Sequence, residues 1–95
     1  MAAHVGVVTI ELALYEAMSL KDKRRVLASL KDRLRGSFNA AVAEVDHQDA
    51  RQRATLAVAM VSGDSRHLHG ELDRVVDFVK TRGGAVLLGY EKEVL

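Results

Sequence analysis

From Val8 to Leu14 the apolar residues Val8, Ile10, Leu12 and Leu14 alternate with Thr9, Glu11 and Ala13, the two-residue period of a strand with one buried face. That alternation predicts a first strand over about Val5–Tyr15. Ser19 suits an N-cap, and Leu20, Leu27, Leu30 and Leu34 then recur at helical spacing. Gly36 is placed to end this helix as a C′ glycine. Phe38–Val45 and Thr55–Ser62 are apolar runs of strand length on either side of the polar Asp46–Arg53, the pattern of a hairpin. Asp64 or Ser65 caps a second helix, in which Leu68, Leu72, Val75, Val76 and Val79 share a face. Lys80 and Arg82 suit the negative end of its dipole, and Gly83-Gly84 follows. Ala85–Leu95 supplies a last strand.

The order βαββαβ predicts an α+β fold of the ferredoxin-like kind, a four-stranded antiparallel sheet with two helices on one face. Right-handed crossovers then bring the start of the first helix, the Asp46–Arg53 turn and the Arg82–Gly84 loop to one end of the sheet. Arg35–Ser37 and Ser62–His67 share the other end. If Val8, Ile10, Leu12 and Leu14 face the helices, the open face takes Val7, Thr9, Ala13 and Tyr15. The third strand adds to it either Leu56, Val58 and Met60 or Ala57, Ala59 and Val61, and neither set is polar. Such a face is expected to be covered by a second copy, so a homodimer or higher homo-oligomer is expected, joined through the open sheet or the edge of the last strand.

Composition narrows the class. Ninety-five residues with 48% apolar content fit one domain over 1–95. Absence of Cys excludes disulfides and thiolate zinc sites. Glu11 and Glu16 interrupt the apolar residues near the N-terminus, so neither a signal segment nor a membrane span is expected, and a cytoplasmic location is.

Charge is local. Residues 19–36 hold seven Lys/Arg and two Asp, a net of +5 in a chain whose formal net charge is +1. Lys21, Arg24, Lys31 and Arg35 line one helix flank over about 20 Å, a length that could follow several phosphates. Lys23 falls inside the leucine stripe and is expected to snorkel out at the helix end. Lys21, Lys23, Arg24 and Arg25 crowd the positive end of the helix dipole, at a cost of a few tenths of a kcal/mol each. An anionic partner at that end is therefore expected.

Candidate chemistry is sparse. Asp46, His47 and Asp49 have the residue types of a metal site or an acid/base pair. Topology, however, sends His4, His67 and His69 to the opposite end, and the turn is expected to be a hydrogen-bonded hairpin. No nucleophile elbow or phosphate-binding glycine loop occurs. No catalytic residue, metal or cofactor is thus expected, and the chain is not expected to be an enzyme. The third strand has no aromatic residue, and Tyr15, Phe38, Phe78 and Tyr90 are scattered, each expected to pack rather than to stack bases. Nucleic acid would be held by its phosphates, through Lys21, Lys23, Arg24, Arg25, Lys31 and Arg35 with Arg51 and Arg53 assisting.

The run Ser19-Leu-Lys-Asp-Lys-Arg-Arg25, followed by Phe38-Asn-Ala-Ala-Val-Ala-Glu-Val-Asp-His-Gln-Asp49 and Gln52-Arg-Ala-Thr-Leu-Ala-Val-Ala59, resembles the YlxP-like family of small bacterial proteins of unknown function. The match spans almost the whole chain, with Asp22 where that family often has Glu. The resemblance implies a ferredoxin-like fold, a bacterial cytoplasmic protein and, because such genes often lie beside those for transcription and ribosome maturation, a link to RNA. It transfers no catalytic residue. The leading expectation is a non-enzymatic oligomer that binds RNA or a ribosome-maturation intermediate through its basic helix. Two alternatives are a small-anion module or enzyme using the Asp46-His47-Gln48-Asp49 turn, and a purely structural protein-interaction module.

Overall fold

Strands β1 (His4–Ala13), β2 (Ala40–Asp46), β3 (Arg53–Ser62) and β4 (Val86–Val94) form one sheet in the computed structural model, which describes residues 2–95. Helices α1 (Leu20–Ser37) and α2 (Ser65–Arg82) make the crossovers. The strand order is β2-β3-β1-β4 with every neighbour antiparallel. This is the ferredoxin-like arrangement that the element order predicts.

One sheet face carries the core. Val8, Ile10 and Leu12 of β1 and Leu56, Val58 and Met60 of β3 are buried with Leu27, Leu30 and Leu34 of α1 and the five expected residues of α2. The period-2 and period-3.6 stripes thus meet as their spacing requires. Close approach of α2 depends on Gly6, because a Cβ there would lie 2.7 Å from Leu72 Cδ1.

Several boundaries differ from the sequence expectation. Chain β1 ends at Ala13, because the next residues form a turn in which the Leu14 N–H donates to the Gln52 carbonyl at 2.9 Å. Gly36 does not end α1; the helix runs to Ser37, and the Phe38 N–H closes it on the Leu34 carbonyl at 2.9 Å. Phe38 leaves the expected second strand for the same reason, its ring meeting Phe78 edge-on at 5.8 Å. The left-handed turn after a helix instead falls at Gly84, with φ of 72°. Asp64, rather than Ser65, caps α2, its Oδ1 accepting from the Arg66 and His67 N–H groups at 2.9 and 3.2 Å.

The outer sheet face is less uniform than expected. Ala57, Ala59 and Val61 are the β3 residues on it, beside Val7 and Thr9 of β1 and opposite Ala41 and Ala43 of β2. Ala13 is buried, and Tyr15 lies beyond the strand. Register places Gly89, Glu91 and Glu93 of β4 beside Glu11, Thr9 and Val7, so the β4 side of this face is acidic and the β2–β3 side is alanine. Each edge strand carries an irregularity, at Val45 in β2 and at Leu88 in β4, where the register skips one residue. Bulges of this kind interrupt the ladder that a further strand would need.

Candidate nucleic-acid interface

The start of α1 is closed by its own side chains. Ser19 Oγ accepts from the Asp22 N–H at 3.0 Å, and Asp22 Oδ2 accepts from the Met18 N–H at 3.0 Å. This variant of a capping box places one carboxylate at the positive end of the dipole and offsets part of the penalty of the neighbouring cations.

Lys23 offsets more of it, and not as expected. Its side chain is 1% exposed. Nζ lies 2.8 Å from Glu44 Oε2 and donates to the His47 and Ala50 carbonyls at 2.6 and 2.7 Å, with Gln48 O at 3.4 Å. An ammonium has three protons to donate, and these contacts saturate it. The snorkelling expectation is therefore wrong, and Lys23 is withdrawn from the surface that could meet a ligand. A hairpin turn has inward carbonyls with no strand partner, and this lysine satisfies them. The same bonds explain the turn itself: His47 is left-handed with φ of 61°, its N–H donates to Asp46 Oδ1 at 2.7 Å, and its carbonyl also accepts from the Ala50 N–H at 3.0 Å. Asp46, His47 and Asp49 are thus parts of a hydrogen-bonded hairpin that is locked to α1. His67 faces Glu71 at 3.6 Å on α2, and His4 pairs with Ser62 at the opposite end of the sheet. Among the described residues no three His, Asp or Glu gather as metal ligands would.

The other sequence-selected cations divide in two. Arg35 turns along the helix end, donating to the Val42 carbonyl at 3.0 Å with Asp32 at 3.7 Å. Arg53 stands on the outer sheet face, 3.8 Å from Glu11. Exposed Lys21, Arg24 and Arg25 and half-buried Lys31, by contrast, have no hydrogen-bond or ion-pair partner among the described residues. Arg51 reaches across to the Met18 carbonyl at 3.4 Å and so joins them beside the α1 start. From Lys21 to Lys31 the flank covers about 15 Å.

A cleft of about 640 Å³ opens on another side of the α1 start, between the loop after β1 and the end of α2. Tyr15, Arg25, Val26, Lys80 and Gly84 line it. The Gln52 side chain fixes the loop, donating to the Tyr15 and Ala17 carbonyls at 3.1 and 3.3 Å. Arg33 donates to the Arg82 carbonyl, tying the C-terminus of α2 to α1. The sequence places the α1 start and the Arg82–Gly84 loop at the same end of the sheet but does not show that the loop after β1 leaves a cleft between them. Its one visible signal was a tyrosine at the end of an alternating run.

With this geometry in hand, comparison with known proteins is informative. A family model described as "Protein of unknown function (DUF503)" matches residues 5–92. The uncharacterized protein YlxP of Bacillus subtilis (strain 168) is 36% identical over 75 residues, covering 79% of this chain and 82% of that protein. The de novo designed protein Ferredog-Diesel superposes with a TM-score of 0.47 and 11% identity over 96% of this chain and 83% of its own. The match over 5–92 and the YlxP relationship agree with the resemblance carried by the Ser19–Arg25 and Phe38–Ala59 motifs, and the chain belongs to the DUF503 family of proteins of unknown function, of the YlxP-like kind.

Proposed function

We propose that this chain is a non-enzymatic RNA-binding protein of the bacterial cytoplasm, acting on a structured RNA or a ribosome-maturation intermediate. The observation that carries this reading is the flank of Lys21, Arg24, Arg25 and Lys31, four neighbouring cations on one helix with no acidic partner among the described residues, while Lys23, Arg35, Arg53, Arg74 and Lys92 each have one. The helix end is already capped by Ser19 and Asp22, so stability does not require cations there. Cations that lower stability slightly and pair with nothing fit a polyanion. The implied link of YlxP-like genes to ribosome maturation points the same way. The alternative built on the Asp46–Asp49 turn loses support, because the inward polar groups of that turn are satisfied by Lys23.

The test is binding of a labelled structured RNA followed by anisotropy over a range of salt. Four or five phosphate contacts should give log Kobs against log[salt] a slope of about −3 to −4. Reversing Lys21 and Arg24 to Glu should weaken binding at least tenfold without lowering the melting temperature. Affinity that ignores both salt and charge reversal would overturn the reading.

A further inference from the structure

We propose that the cleft beside the α1 start holds one unpaired nucleotide, its base against Tyr15 and its phosphate at Arg25 and Lys80. The proposal rests on the RNA reading above and names what the RNA would insert. Three observations carry it. First, Tyr15 is 64% exposed although it sits on ordered backbone. Its loop is pinned by the Gln52 side chain and by the Ala17 N–H donating to the Leu14 carbonyl at 3.1 Å. Phe38 and Phe78, in contrast, pack against each other. A large ring held in water on a fixed loop gives a stacking surface at little entropic cost.

Second, at about 640 Å³ the cleft has a volume in the range of small-molecule sites, and Ala17, Val26 and Ala85 supply apolar parts of its lining. Gly84 keeps its wall low, with only Val26 Cγ1 within 4 Å of where a Cβ would stand, at 3.8 Å.

Third, the charges discriminate between ligands. Arg25 and Lys80 line the cleft together with Glu16 and Asp22, so the lining is close to neutral and a bare phosphate gains little from it. A nucleotide uses every part: the ring face for Tyr15, both donors and acceptors for the base edge, and the two cations for its phosphate. Arg25 is shared between the basic flank and the cleft lining, so a strand held at Lys21 and Arg24 can reach the cleft by way of Arg25. Paired bases cannot enter, so the cleft selects an unpaired residue. The same chemistry could come from a free nucleotide.

The chain has two Tyr and no Trp, so in a Tyr90→Phe variant Tyr15 is the one strong emitter and its fluorescence lifetime reports stacking. Three probes are titrated: a short single-stranded oligoribonucleotide, the same sequence fully paired, and free GMP or AMP. Labelled-RNA anisotropy runs in parallel. The single strand should shorten the lifetime, and the duplex should bind through the flank and leave it unchanged. Tyr15→Ala should weaken single-strand binding roughly five- to a hundredfold, and Tyr15→Phe should restore it to within about twofold. Quenching by the free nucleotide alone would support the site with a metabolite as its source. RNA that binds with an unchanged Tyr15 lifetime, and with equal affinity for Tyr15→Ala, would overturn the cleft and leave the basic flank standing. If no RNA bound, the flank reading would fail, and an unchanged lifetime with GMP and AMP would then overturn the cleft as well.

Discussion

Lys23 shows how far a single residue can depart from its sequence context. A lysine in a leucine stripe near a helix end reads as a snorkelling cation, because its usual partner is water. Here its partners are backbone carbonyls of a turn, which carry no side-chain signal; Glu44 was the one clue, a carboxylate in a strand of Ala and Val. Removing the ammonium would strand Glu44, leave the Ala50 carbonyl without this donor and leave the His47 carbonyl with only the Ala50 N–H. Breaking a buried pair in this way costs about 3–5 kcal/mol, although the partial exposure of Glu44, 17%, puts the expected loss at the lower end. Lys23→Met should therefore lower the melting temperature by roughly 10–20 °C. It should also loosen the turn, visible as faster amide exchange at Ala50. Unchanged stability and exchange in Lys23→Met would show that the lock carries nothing. Lys21→Met, on the exposed flank, should stay within about 0.5 kcal/mol of the parent.

At the level of elements, strand alternation and helical stripes were enough to give their order, their buried faces and most limits. Endings were less legible, and Gly36 shows why. A glycine two residues after the last core leucine reads as a C′ residue, although the same spacing also leaves it room inside the last turn. What decides is Phe38, drawn into contact with Phe78 and taking the helix one residue past Gly36. The two readings predict opposite mutational signs. As a left-handed cap, Gly36 would resist substitution. Inside the helix, with nothing within 4 Å of an added Cβ, Gly36→Ala should raise stability by about 0.5–1 kcal/mol. Gly84→Ala, at φ of 72°, should lower it by about 1 kcal/mol. Urea midpoints of the two variants shifting in the same direction would contradict these assignments. Topology alone places the α1 start, the Asp46–Arg53 turn and the Arg82–Gly84 loop at one end of the sheet; what stays illegible is how they join, because Lys23 bonds backbone carbonyls that no side-chain pattern marks and the cleft depends on a Tyr15 loop pinned by Gln52.

For the whole molecule, the outer sheet face bears on assembly. The face divides into an alanine half, with Ala41, Ala43, Ala57 and Ala59, and a β4 half with Glu91 and Glu93. We propose a two-fold dimer that stacks the alanine halves. Small side chains let two sheets approach closely, and the two-fold axis carries each copy's glutamates to opposite, solvated rims. Covering about 500 Å² of apolar area per subunit, about 1,000 Å² in the pair, would contribute roughly 25 kcal/mol, against an association cost of about 4–15 kcal/mol. A dimer is the expected balance. Edge pairing through β4 is a weaker arrangement, given the irregularity at Leu88 and the charges of Glu91, Lys92 and Glu93 on that strand. Pairing the faces would present two basic α1 flanks in one particle and strengthen polyanion binding without any new contact. Light scattering at tens of micromolar should give twice the chain mass. Ala59→Glu, which buries a carboxylate at the centre of the stack, should give a monomer and weaken RNA binding about tenfold, while Glu93→Gln on the rim should leave both unchanged. A parent protein that is monomeric at this concentration, or an Ala59→Glu variant that remains dimeric, would rule out the stacked sheets.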